Sequence, residues 1–141
     1  MFITRATRHD KSDIEALYRQ HAWDGNPDAG KGTAFIARDG GVVGTLRVVE
    51  VEPNTLVVDG VLVKEGRREE GIGRRLMQAA MNSRGGTMYL CCHDNRLRFY
   101  GHFGFSEIPV EEAPESVREY WRSVGDWPTE EGHEHFFLKA R

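Results

Sequence analysis

The sequence predicts an α/β domain built on a mixed sheet, and three features point there. Between residues 34 and 63, short runs rich in Val, Leu and Ile alternate with clusters of turn residues. From Gly71 onward the apolar spacing becomes that of a helix. Strand-like and helix-like stretches then alternate as far as the C-terminus, the pattern of a layered α/β unit.

Taken in order, Phe2 to Thr7 reads as a first strand, and Asp10 as the N-cap of a short helix through Ile14, Leu17 and Tyr18. Residues 21 to 33 (HAWDGNPDAGKGT) read as a loop. Strands follow over Ala34–Arg38, Val42–Val51 and Leu56–Val63, joined by the turns Asp39-Gly40-Gly41 and Glu52-Pro53-Asn54, so the N-terminal half is mostly antiparallel. Ile72, Leu76, Ala79 and Ala80 share one helical face, and Arg84-Gly85-Gly86 ends that helix. Thr87–Cys92 is a strand, Asp94–Phe103 a helix and Phe105–Val110 a strand. Pro114 opens a helix through Val117, Tyr120 and Trp121, and His135–Lys139 closes the chain as a strand.

At 141 residues the chain fits a single domain over 1–141, with 39% hydrophobic and 29% charged residues, as in ordinary globular proteins. No apolar run approaches the roughly 20 residues needed to cross a bilayer. The stretch Met1 to Arg5 has no signal-peptide pattern, and the only two cysteines, Cys91 and Cys92, are neighbours, which makes a disulfide framework implausible. A cytoplasmic protein with no membrane partner is expected. A net charge of −3 argues against generic nucleic-acid binding. The charge is uneven, however. Arg67, Arg68, Arg74 and Arg75 crowd around Gly71 and Gly73, whereas Glu111 to Glu134 holds eight carboxylates and only Arg118 and Arg122.

The first of these regions bears the strongest motif. A strand ending at Val63 leads through a polar loop into a helix that opens Gly71-Ile72-Gly73. A helix N-terminus presents unpaired N–H groups and partial positive charge, and glycines let a diphosphate come close to the backbone. No Gly-Lys-Ser/Thr exists for a Walker loop, and Leu76 stands where a dinucleotide fingerprint needs its third glycine. The plainer alternative is a glycine pair that eases helix–sheet packing beside a solvated arginine face.

Val63-x-x-x-x-Arg68-x-x-Gly71-x-Gly73-x-x-Leu76 resembles the pyrophosphate-binding motif of the GCN5-related N-acetyltransferases, and Arg98-Phe99-Tyr100-Gly101-His102-Phe103-Gly104-Phe105 is similar to that family's F-Y-x-x-x-G-F segment. The order of elements agrees along the whole chain. The resemblance implies the GNAT-like acyl-CoA N-acyltransferase fold: a mixed central sheet flanked by helices, whose parallel strands near Val61–Val63 and Tyr89–Cys91 splay apart to admit the pantetheine arm. It further implies acetyl-CoA as co-substrate, contacted by Leu62, Val63, Arg68 and the backbone of Glu69, Glu70, Gly71, Ile72, Gly73 and Arg74. Many members place an asparagine further from the tyrosine than Asn95 stands here.

The chemistry needs a neutral amine, a polarised thioester carbonyl and a proton for the leaving thiolate. By resemblance, Tyr100 is the acid, and a phenol with a pKa of about 10 suits a departing thiolate; Asp59 occupies the place of the family's carboxylate base. The competing readings are a core tyrosine and a solvent-exposed aspartate. His93 and His102 are alternative bases. His133-x-His135 is a metal pair by spacing alone, and with no third ligand in sequence reach no metal is expected. Cys91 and Cys92 read as core thiols. Arg47 is either a plain solvated strand residue or a clamp for an acceptor carboxylate.

The expected function is direct acetyl transfer to a primary amine of a small molecule. The bulky segment Pro114–Trp127 tends to cover the groove that a protein or peptide acetyltransferase would need for lysine or N-terminal substrates, and its Trp121 and Trp127 form either packing or a wall for a cationic acceptor. A non-catalytic acyl-CoA-binding module is the rival from another class. A homodimer is compatible with all of these readings.

Overall fold

The computed structural model describes residues 1–21, 32–129 and 134–141; the loop expected over 21–33 therefore falls almost wholly outside the described residues, and so does His133. The elements are β1 (Phe2–Arg5), α1 (Lys11–Gln20), β2 (Thr33–Arg38), β3 (Val42–Glu52), β4 (Thr55–Val63), α2 (Ile72–Ser83), β5 (Thr87–Cys92), α3 (Leu97–Gly101), β6 (Ser106–Ile108), α4 (Glu115–Val124) and β7 (Phe136–Ala140). The strands run in the order β1-β2-β3-β4-β5-β7-β6, a mixed sheet with helices around it. Two compact units share β3 and β4: Met1–Val49 with Asp59–Gly85, and Glu50–Val58 with Gly86–Arg141. Among the described residues no helix is long and apolar enough to cross a membrane.

In the first unit, β1, β2 and β3 form an antiparallel meander with Phe2 opposite Arg38 and Phe35 opposite Leu46. Its two helices cover opposite faces, as the residue alternation of β2 requires. Ile36 faces α1, where Ile14, Leu17 and Tyr18 recur at helical spacing and pack with Leu62. The next residue, Ala37, pairs with Gly44. A Cβ on Gly44 would stand 2.9 Å from Ile72 Cγ2 and 3.1 Å from Leu76 Cδ1, so the missing side chain is what lets α2 lie against the sheet.

In the second unit, β4 and β5 are parallel through three pairs, Thr55–Thr87, Leu56–Met88 and Val57–Tyr89. β7 lies antiparallel between β5 and β6. The helix α4 buries Val117, Tyr120 and Trp121, and the Trp121 indole meets the Phe137 ring at 4.7 Å between centroids.

Several elements differ from expectation: the helix over Asp94–Phe103 is a 3₁₀ turn followed by the shorter α3, and three further departures have identifiable reasons. β1 stops at Arg5 because Thr7 and Asp10 form a capping box: Thr7 N donates to Asp10 Oδ2 at 2.8 Å. Asp10 stands at the N-cap position of α1, yet its side chain is spent on Thr7 and on Arg38 Nη2, 2.7 Å away, rather than on that helix. The strand expected over Phe105–Val110 shrinks to Ser106–Ile108, because Pro109 brings no N–H to a ladder and Val110 begins a 3₁₀ turn.

Candidate active site

The glycine loop lies wholly in the first unit and is held from several sides. Lys64 N donates to Val43 O at 2.8 Å, and Glu65 N donates to His21 Nε2 at 2.9 Å. His21 Nδ1, at 2.9 Å from Leu17 O, donates to that carbonyl, so the ring is the neutral Nδ1–H tautomer and ties the end of α1 to the loop. Arg67 spans the loop, with Nε 2.6 Å from Glu70 Oε2 and Nη2 2.8 Å from Asp39 Oδ2. These carboxylates raise the guanidinium above its ordinary value, and Arg67 lowers Asp39 in return. The four arginines are therefore not equivalent. Arg67 braces the loop internally, Arg68 Nε donates to Val63 O at 3.1 Å, and Arg74 and Arg75 stand exposed at the start of α2.

At the head of α2, Gly71 takes a left-handed conformation (φ 75°, ψ 14°) and no side chain caps the helix. A Cβ built on Gly71 would meet nothing within 4 Å. The N–H groups of the first helical turn, around Ile72, Gly73 and Arg74, therefore keep the need for an acceptor that every helix N-terminus has, beside a backbone bare of side chain. That is the chemistry a diphosphate requires, and the loop residues fit it.

Beside the loop, Leu62 packs against α1, and Asp59 lies in an ion pair. Arg47 Nη2 is 2.7 Å from Asp59 Oδ2, with the Arg47 side chain 4% and the Asp59 side chain 16% exposed. The solvated reading of Arg47 is thus overturned: it is buried on β3 with Asp59 as its partner. Tyr18 stands next to this pair and donates its hydroxyl to Gly60 O. Burial, and then the nearby Asp59 charge, raise the Tyr18 phenol above its ordinary range, so it remains a donor.

Tyr100 belongs to the second unit, on α3. It is buried, with its ring edge-on to Phe99 (5.0 Å) and Phe105 (6.2 Å), and Phe103 N donates to Tyr100 O at 3.0 Å. Gly104 turns the chain at φ 88° between that helix and β6. The F-Y-G-H-F-G-F segment is thus a short helix, a glycine turn and a strand, as its motif implied. Asn95 sits exposed in a 3₁₀ turn before α3. Burial pushes the Cys92 thiol up to about 11, which leaves it a protonated core residue at neutral pH.

Of the two readings of the acidic segment's indoles, the contacts favour packing. Trp121 is 1% exposed and serves the core, and the Trp127 ring is already faced by Arg122 at 4.6 Å. Glu115 pairs with both Arg118 (2.9 Å) and Arg122 (3.1 Å). Neither indole is left as an open wall for a cationic acceptor. The sequence reading missed His21 and Gly44, whose partners lie on other elements. A glycine inside an otherwise apolar strand was the one signal that could have singled out Gly44.

Residues 30–107 match the family described as Acetyltransferase (GNAT) domain. No curated protein sequence matches the chain. Among solved structures, an acetyltransferase of the GNAT family from Staphylococcus aureus superposes with a TM-score of 0.71 at 18% identity, covering 99% of this chain and 97% of that one. N-acetylglutamate synthase from Neisseria gonorrhoeae, solved with coenzyme A and N-acetyl-glutamate, gives 0.74 at 18% identity over 100% of this chain and 35% of that one. An aminoglycoside 6'-N-acetyltransferase complexed with coenzyme A gives 0.69 at 17% identity over 99% and 96%. At these identities the likeness establishes the fold.

Proposed function

The chain belongs to the GNAT family of acetyltransferases, and from that premise we propose that it moves the acetyl group of acetyl-CoA directly onto a primary amine of a small molecule. The observation that carries this reading is the uncapped head of α2, with left-handed Gly71 open to solvent and Arg68 folded back on Val63. In this reading the N–H groups from Glu69 to Arg74 bind the diphosphate. Leu62 and Val63, at the end of β4, align the pantetheine, beyond a parallel ladder that comprises only the pairs Thr55–Thr87 to Val57–Tyr89.

The amine nitrogen forms a bond to the acetyl carbon as the carbon–sulfur bond breaks. Asp59 takes the amine proton while Arg47 fixes its carboxylate, and Tyr100 gives the phenolic proton to the departing sulfur. The last two roles rest on motif position; Tyr100 is buried and Asp59 only partly exposed, which supports them, because a proton held in a largely desolvated site is delivered with little competition from water.

Gly73→Glu tests the premise. A side chain and a negative charge at the helix head should abolish acetyl-CoA binding in calorimetry while the circular dichroism spectrum stays native. Undiminished affinity would remove the loop from the reading. Coenzyme A release with a panel of small amines, and with lysine peptides in parallel, then tests the acceptor class. Turnover confined to the peptides, or absent with every amine, overturns the small-molecule proposal.

A further inference from the structure

Three residues from separate parts of the second unit converge: Cys91 on β5, Asp126 just after α4 and His135 just before β7 each offer one ligand atom, all within 4.8 Å of one another. Each is half-buried. The fold delivers them by the backbone of their own segments. Gly125, left-handed at φ 84°, ends α4, and Asp126 N then donates to Trp121 O at 2.8 Å, which fixes where the Asp126 side chain begins. Cys92 pairs with Phe136, so Cys91 and His135 are diagonal neighbours on adjacent strands. His93 lies two residues beyond Cys91 along extended backbone and therefore points to the same side; its ring centroid is 4.9 Å from that of His135.

Two chemistries suit a cysteine, a histidine and an aspartate, and the geometry separates them. In a nucleophile relay the imidazole stands between thiol and carboxylate, which keeps those two ends well apart. Here the three ligand atoms close a triangle, and His135 Nδ1, 2.9 Å from the carbonyl oxygen of Asp126, gives its proton to backbone rather than to a carboxylate. A metal-binding histidine is characteristically held in this way, with one ring N–H on a carbonyl and the other nitrogen's lone pair available. Ligands at about 2.0–2.3 Å around a tetrahedral zinc ion lie roughly 3.3–3.8 Å from one another, a modest contraction of this triangle. A thiolate, an imidazole and a carboxylate together select zinc over magnesium or calcium.

We propose that Cys91, Asp126 and His135 bind one Zn2+, with His93 as fourth ligand, forming a structural site that ties the end of α4 to the β5–β7 pair. It stands apart from the acetyl-transfer reading, and its ligand set is drawn from three chain segments rather than from the His133-x-His135 spacing. The full-length protein, stripped with EDTA and dialysed free of chelator, should bind one equivalent of Co2+ with a thiolate-to-cobalt charge-transfer absorption, and Zn2+ should displace it. At a hundredfold excess over its Kd, Zn2+ should raise Tm by roughly 10 °C. Cys91→Ser should lose the charge-transfer band, His135→Gln the Tm rise, and His93→Ala about tenfold in affinity. Should a variant fail to fold, Zn2+ protection of Cys91 from alkylation in the wild-type protein reads the same contact. No charge-transfer band, a band that survives in Cys91→Ser, unprotected Cys91, or unchanged affinity in His93→Ala overturns the four-ligand site.

Discussion

At the scale of single residues, the Arg47–Asp59 pair and Tyr100 carry the chemistry proposed above, and each can be separated from a packing role. Tyr100→Phe keeps the ring against Phe99 and Phe105 and removes only the hydroxyl, so turnover should fall on the order of 10²-fold while acetyl-CoA affinity holds. Steady-state kinetics beside calorimetry reads both quantities; an unchanged turnover number would leave Tyr100 as a core residue. Asp59→Asn keeps the shape beside Arg47 but cannot accept the amine proton. The rate should then fall most at low pH, where free amine is scarce. Profiles that overlay would pass the base role to His102. Asp10 is a different case, since its stabilising contacts are structural. Its carboxyl is lowered from 3.8, chiefly by the Thr7 N–H and with Arg38 assisting against burial. A depressed folded value means the contribution is complete above the unfolded value and is lost as pH falls through the folded one. Chemical denaturation should therefore show Asp10→Asn less stable than wild type at pH 7, with the gap closing below pH 3.8.

Among the elements, α2 matters most, because its head is the proposed phosphate site and its body rests on a glycine. Gly44→Ala would put a Cβ 2.9 Å from Ile72 Cγ2, closer than carbon atoms tolerate. Because Ile72 is fully buried, the helix must shift rather than the side chain alone. The expected cost is about 1–3 kcal/mol in a urea melt, together with weaker acetyl-CoA binding, since the head of α2 moves with its first residue. Stability lost with affinity intact would show that the helix head is positioned by the loop braces instead. Elements of this kind were only partly legible in the sequence. The strands from Thr33 to Val63 and the helix from Ile72 were readable because alternation, helical spacing and turn glycines are local signals. The F-Y-G-H-F-G-F segment was readable because its glycine turn is local as well. What was hidden depends on chain segments meeting: Arg47 reads as a solvated strand residue or an acceptor clamp until Asp59 is found beside it, and Asp10 as a helix cap until Thr7 and Arg38 claim its oxygens. The Cys91–Asp126–His135 triangle has no spacing signature, because its members come from three elements.

For the molecule as a whole, the telling feature is that neither compact unit is a continuous piece of chain. β3 gives Val42–Val49 to the first unit and Glu50–Glu52 to the second, while β4 gives Thr55–Val58 to the second and Asp59–Val63 to the first. The strand that leads into the phosphate-binding loop is thus anchored at its start by residues synthesised after that loop: Thr55, Leu56 and Val57 take Thr87, Met88 and Tyr89 as parallel partners. Leu56 and Val57 are both fully buried in the intact chain. A fragment of residues 1–85 keeps every residue proposed to bind the diphosphate, yet leaves these apolar side chains and half the ladder of β4 without their cover. An exposed strand edge with apolar faces invites association rather than folding. The fragment is therefore expected to aggregate or to lack native-like amide dispersion, and to have lost acetyl-CoA affinity by at least tenfold, although its motif is complete. Full-length protein should unfold in one cooperative step, with tryptophan fluorescence coinciding with backbone circular dichroism. A monomeric, well-dispersed 1–85 fragment that binds acetyl-CoA as the whole chain does would show the first unit to be self-sufficient, and would make the shared strands a connection rather than a support.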